Sequence, residues 1–238
     1  MTSPRPYRSA EELVYDHLRT AILRGQFLPE AVINQEEIAK TLKVSRIPVR
    51  DALRRLHSVG LVHILPNKRT VVPSFTSHEI FEIFEMRAVL EGLAARNAVP
   101  NLTDSDFHDL TDMAKVMRSI DNLDMYLERH EAFHDLIADR ARLPRLRREV
   151  AQLREIVGPY IRINGTAHQS AELEQDRHDS LLVVFKTQNP AAAEKALASH
   201  VRHAGKQLVD AVESLTFTER SQSEPEKRRV SGAGRNRT

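Results

Sequence analysis

Apolar residues recur three and four apart over most of the chain, and in only one region does the spacing change to that of strands. Across residues 9–24, Leu13, Val14, Leu18, Ala21 and Ile22 fall at helical spacing, and Gly25 follows where a left-handed C-terminal cap is wanted. After Pro29, residues 35–42 place Ile38, Ala39 and Leu42 on one side of a short second helix. Ser45 is positioned as N-cap of a third helix from Arg46 to about Ser58; Pro48 is tolerated in its first turn and Gly60 stops it. Next come LVHIL and VVP, β-branched runs separated by Pro66-Asn67-Lys68-Arg69, which predict a short hairpin. Three helices and a hairpin are the plan of a winged helix-turn-helix.

Residues 73–76 form a Pro/Ser/Thr junction, and Thr76 with Glu79 makes a capping box that opens a new helix. From there the pattern is helical throughout: 77–98, 104–119 (opened by Thr103 and Asp106), 122–139, 144–163, 171–187 and 191–215, with Pro100, Pro144 and Pro190 in the gaps. The predicted fold is mainly α: an N-terminal winged helix-turn-helix over residues 1–73 and an all-α six-helix bundle over 76–216. The last stretch, 219–238, is a basic tail with almost nothing to bury and is expected to be disordered.

Charge sharpens this division. The chain of 238 residues is nearly balanced, with 35 Lys+Arg and 33 Asp+Glu, yet residues 1–75 carry 12 basic and 7 acidic groups whereas 76–218 carry 17 and 23. A basic unit joined to an acidic one suits a polyanion-binding domain attached to one that avoids polyanions. There is no cysteine, which excludes disulfides, thiolate zinc sites and cysteine nucleophiles. The longest apolar run, Leu181 to Phe185, is far below the ~18 residues of a membrane span, and MTSPRPYRSAEE lacks the apolar core of a secretory signal. A cytoplasmic protein with no membrane contact is expected.

In EEIAKTLKVSRIPVRDALRRLHSVGLV, the residues Ile38, Ala39, Leu42, Val44, Val49, Ala52, Leu53 and Leu56 form the apolar set that locks the second helix on the third. The opposite face is basic. Arg46 and Arg50 are neighbours near the N-terminus of the third helix, where a recognition helix meets base edges, and each guanidinium can bond guanine O6 and N7 together. Ser45, Arg54 and Arg55, with Lys68 and Arg69 at the hairpin tip, are better placed for phosphates of double-stranded DNA.

The second half carries eight of the eleven histidines. In 122–139 the inner stripe reads Leu123, Tyr126, Leu127, His130, His134 and Ile137, so two imidazoles four apart can share one metal. His178 lies on the stripe that continues to Leu181, Leu182 and Phe185, and His200 falls between Leu197 and Ala204. Taken singly each is an ordinary core histidine; burying four titratable rings asks for compensation, which a divalent cation held by neutral imidazoles provides.

LVYDHLRTAILRGQFLPE followed by INQEEIAKTLKVSRIPVRDALRRLHSVGLVHILPNKRT resembles the N-terminal domain of GntR-type transcriptional regulators, with Glu30 and Thr70 standing where that family usually has glycine. FEIFEMRAVLEGLAAR, ERHEAFHDLI and RHDSLLVVFKTQNPAAAEKALASHV resemble the FCD domain of the FadR subfamily, and the helix count resembles its VanR-like variant. The resemblance implies a metal held by an Asp-x-x-x-His pair and two later histidines, which fall on His130, His134, His178 and His200, with His130 in the usual Asp position. An all-nitrogen set favours a divalent transition metal, zinc first and then nickel or iron, over magnesium or calcium.

The resemblance also implies a small carboxylic-acid effector, for which Arg87 is the candidate partner; Arg87 alternatively pairs with Glu91 one turn on. A homodimer on a palindromic operator, acting as a repressor, is the expected assembly. The competing reading is a metal-dependent hydrolase or lyase on a small carboxylic acid, with the basic domain as an anchor. It is disfavoured because Glu131, adjoining His130, points about 100° away on a helix.

Overall fold

A computed structural model of the chain describes residues 9–119, 122–163 and 171–223, and the side chains of 9–119, 122–162 and 178–214. The first helix, α1 (Ala10–Leu23), opens with a reciprocal cap: Glu12 N–H donates to Ser9 Oγ and Ser9 N–H to Glu12 Oε2. It ends at Gly25, whose φ of 68° gives the left-handed turn that glycine adopts without strain. Val14, Leu18, Ala21 and Ile22 are buried as their spacing predicts, but Leu13 is exposed. Asn34 caps α2 (Gln35–Leu42), and α3 (Arg46–Ser58) follows Ser45, which holds the N-cap position without a side-chain hydrogen bond to the helix. One hydrophobic cluster joins α1 to α3 and includes Leu18, Ile22, Val49, Leu53 and Leu56.

The wing has one strand more than the hairpin predicted. Strands β1 (Val32–Ile33), β2 (His63–Ile64) and β3 (Thr70–Val71) form an antiparallel sheet in the order β1-β3-β2, with Thr70 opposite both Ile33 and Ile64. Glu30 enters β1 at φ 68°, a left-handed conformation in keeping with the glycine usual there. Thr70 does not behave as a glycine position: it is a buried strand residue, and the left-handed residue of the wing turn is Lys68, at φ 63°.

The second half contains, among the described residues, α4 (Ser77–Ala98), a 3-10 turn at Val99–Asn101, α5 (Asp104–Ser119), α6 (Leu123–Arg140), α7 (Pro144–Ile163), α8 (Ala171–Lys186) and α9 (Pro190–Ser223). Thr76 and Glu79 cap α4 as predicted. Long helices α4 and α9 pack along each other. Their approach depends on Gly205, where a Cβ would lie 2.5 Å from that of Phe84. Helix α9 continues to Ser223, into the stretch expected to lack structure; residues 224–238 of that tail lie outside the described residues. Among the described residues no helix is long and apolar enough to cross a membrane.

Helix α7 joins the two halves. Glu155 accepts from Arg19 of α1, Arg162 Nε donates to Leu23 O at 2.8 Å, and the Tyr160 hydroxyl donates to Pro73 O at 3.2 Å while accepting from Phe75 N–H.

Candidate metal centre and nucleic-acid interface

Three helices send imidazoles to one point. Helix α6 supplies His130 and His134 one turn apart, α8 supplies His178 and α9 His200; one ring nitrogen from each lies within 4.8 Å of the others. Ring centroids are 4.6 Å apart for His130 and His134 and 4.7 Å for His178 and His200. His134, His178 and His200 are buried, and His130 is half-buried at the edge of a cavity. The packing of α6, α8 and α9 brings their three inward stripes together at these four rings.

Burial disfavours a charge on His130 and His134. Burial, followed by the neighbouring imidazoles, pushes His130 well below the ordinary histidine range. Burial also lowers His134, against the pull of Glu91. Glu91 sits on the inner stripe of α4; burial alone would raise its carboxyl, but Arg87 and His134 hold it well below the usual carboxylate range. Its Oε1 accepts from Arg87 Nε at 3.0 Å, and Oε2 lies 2.9 Å from His134 Nδ1, a close polar contact outside the angles of a well-aligned hydrogen bond. The second ring nitrogen of His134, Nε2, is buried with no hydrogen-bond partner among the described residues. A partnerless nitrogen among imidazoles, with a carboxylate behind the ring, is the donor set and outer support that a transition metal uses.

The cluster opens onto a cavity of about 190 Å³, whose lining includes Arg87, Arg154, Leu127, Val201, Leu208 and Leu23. Arg87 pairs with Glu91 through Nε, its guanidinium carbon lies 4.5 Å from the centroid of the Phe84 ring, and it also lines the cavity. Burial lowers its pKa, and the nearby Arg154 adds to the effect. Sequence reasoning missed Arg154. It pairs with Asp135, and its buried Nε has no partner among the described residues. Only the α6–α7 packing reveals it, since α7 carries many arginines. Tyr160 and Arg162 lie at the joint between the halves.

On the other half, Ser45, Arg46, Arg50, Arg54 and Arg55 are exposed along the start and outer face of α3, and Lys68 and Arg69 are exposed at the wing tip. They do not stand equally ready. Arg50 forms no ion pair among the described residues. Arg46 is paired with Glu36 of α2, and Arg54 lies 3.7 Å from Asp51. Arg55 turns back on α1, 3.4 Å from Glu11 and 3.8 Å over the Tyr15 ring, so it braces the helices as well as presenting charge. The Ser45 hydroxyl, free of a capping duty, faces outward beside Arg46.

Comparison with known proteins agrees with both halves. Residues 10–72 match the bacterial regulatory proteins of the gntR family, and residues 82–203 match the FCD domain. The uncharacterized HTH-type transcriptional regulator YdhC of Bacillus subtilis (strain 168) is 26% identical over 210 residues, 85% of this chain and 91% of its own. The HTH-type transcriptional regulator McbR of Escherichia coli (strain K12) is 27% identical over 190 residues, 78% of this chain and 86% of its own. The HTH-type transcriptional repressor RspR of the same strain is 23% identical over 205 residues, 84% and 90%. The solved structure of E. coli McbR/YncC covers 90% of this chain and 100% of its own with a TM-score of 0.71 at 23% identity, which shows the shared fold. The hydrolase or lyase alternative finds no support in these relatives, each named a transcriptional regulator or repressor. The chain is a transcriptional regulator and belongs to the gntR family of bacterial regulatory proteins, among those that carry an FCD domain.

Proposed function

We propose that the protein is a cytoplasmic repressor whose grip on a palindromic operator is controlled by a small carboxylic acid bound beside a transition metal in the helical half. Residues 1–73 form the DNA-binding unit and 76–216 the effector-binding and dimerisation unit. The observation that carries this reading is the convergence of four imidazole nitrogens, with the partnerless Nε2 of His134, at the edge of a cavity lined by Arg87.

His130, His134, His178 and His200 would hold the ion; when bound, it supplies a Lewis-acidic centre that receives an anionic oxygen. Nitrogen donors alone suit zinc first, then nickel or iron. Glu91 keeps the His134 ring from turning by holding its Nδ1. The part of the Arg87 guanidinium not used by Glu91 faces a ligand carboxylate, for which its planar fork is shaped. The apolar side chains Leu127, Val201 and Leu208 exclude water from the ligand's other end and strengthen that charge contact.

Two copies would place two α3 helices on two half-sites, with Arg46 and Arg50 on guanines, Ser45, Arg54 and Arg55 on phosphates, and Lys68 and Arg69 reaching an adjacent groove. A ligand that binds one dimer geometry better than the other releases DNA by that difference alone.

The test is elemental analysis of purified protein followed by a thermal-shift screen of small carboxylic acids on the metal-loaded and chelator-stripped forms. A transition metal near one per chain, with stabilisation by an acid only when loaded, is expected. Protein that neither retains nor takes up such a metal would overturn the reading.

A further inference from the structure

The cavity beside the imidazoles is not enclosed by the helical half alone. Leu23, the last residue of α1, belongs to its wall, facing Gly158, Ile161 and Arg162 of α7. The fit is close at Gly158, where a Cβ would stand 3.3 Å from Leu23 Cδ2. Two further residues of the same α7 face have a double attachment. Glu155 lines the cavity and accepts from Arg19 Nε at 3.0 Å. Arg162 lines it too, pairs with Asp124 of α6 and donates through Nε to Leu23 O at 2.8 Å. That carbonyl is one of those a helix end leaves without an intrahelical donor, so a cation there both satisfies it and suits the negative end of α1.

Helix α1 in turn packs on the reading helix α3 through Leu18 and Ile22 against Leu53 and Leu56. Pro159, inside α7, has no N–H for the carbonyl of Glu155, so the helix is weakest between the two attachments.

We propose that Leu23 of the DNA-binding half is part of the effector cavity's wall, and that Glu155 and Arg162 pass occupancy of the cavity to α1 and so to the tilt of α3. This rests on reading the cavity as the effector site and deepens it by naming the ligand's shape: a carboxylate whose head meets Arg87 and whose apolar tail reaches Leu23. A ligand too short to touch Leu23 binds without moving the reading head.

The chain has no cysteine, so spin labels attach only where one is introduced. Ile47→Cys on α3 and Val183→Cys on α8 are exposed positions in the two halves. Double electron–electron resonance, with labelled full chain diluted into unlabelled chain, reads the distance between them. Ala204→Leu fills the cavity from α9 without a ligand. It is expected to shift the peak distance by a few ångström, and by less on an Arg19→Ala background, which keeps only the Arg162 attachment.

An unchanged distribution in a folded Ala204→Leu protein, or an equal shift with and without Arg19, would overturn the proposal. Should the leucine variant fail to fold by circular dichroism, Ala204→Val is read by the same criteria. No ligand is used, so a carboxylic-acid screen that finds no binder sinks the effector reading while leaving this result independent of it.

Discussion

His134 Nδ1 lies 2.9 Å from Glu91 Oε2, which ties a proposed metal ligand on α6 to a carboxylate on α4 that Arg87 also holds. A carboxylate in that position fixes the ring's orientation and makes its far nitrogen a better donor. Glu91→Gln keeps the shape and removes the charge. Zinc affinity, measured by chelator competition, should fall about 10–100-fold. Equal affinity in the variant would mean that the carboxylate serves Arg87 alone.

Removing two nitrogens from different helices tests the cluster without disturbing α6. The double variant His178→Ala, His200→Ala should lose its bound transition metal by elemental analysis and its response to carboxylic acids in thermal shift. Retention of stoichiometric metal would place the ion elsewhere.

For the reading head, Arg50→Ala should lower affinity for an operator selected from random duplexes by roughly 1–3 kcal/mol, with little change on scrambled DNA. Lys68→Ala should weaken both about equally and reduce the slope of log K against log salt by about 0.9. A competition titration separates these outcomes, and undiminished discrimination by the Arg50 variant would refute the docking of α3.

Asp106 gives a pH dependence whose sign follows from its partners. Its carboxylate accepts from Arg140 at 2.9 and 2.7 Å and from Thr103 N–H, and these bonds, Arg140 foremost, hold its pKa well below the usual range. Depressed in the folded state, it contributes stability that is present above the ordinary aspartate value and lost as pH falls through the lower one. Urea midpoints measured from pH 5 downward should fall less steeply in Asp106→Asn than in the parent chain; parallel curves would count against the contribution.

Glu30 occupies a left-handed conformation at φ 68°, which disfavours any residue with a Cβ. Glu30→Gly should raise stability, by up to about 1 kcal/mol once glycine's greater freedom in the unfolded chain is subtracted. A lower denaturation midpoint would show that the glutamate side chain makes up the difference.

Helices, caps and the inward place of each histidine were legible because each depends on local spacing, whereas the grouping of the four at one site came from the family resemblance. Thr76 and Glu79 announce a helix start within four letters, and His130 and His134 share a stripe whatever surrounds them. Strand β1 was not legible: two residues after Pro29 carry no alternation, and their strand character comes from pairing with Thr70 and Val71 far along the chain. The cavity was only half legible. Arg87 stands out beside an apolar stripe, but Arg154 and Leu23 become cavity residues only when α6, α7 and α1 meet, and no local pattern encodes that meeting. Arg46 and Arg50 look equivalent as letters; the fold separates them by placing Glu36 against only one.

That last asymmetry bears on how the proposed reading head would search a genome. In the docking proposed for α3, Arg46 would give up one acceptor to take another, so that a passing phosphate would be a near-even exchange and a guanine edge with two coplanar acceptors a net gain. An acidic decoy one helix away would thus trade adhesion for selectivity, and leave the molecule freer to slide past the countless sequences that are not its own.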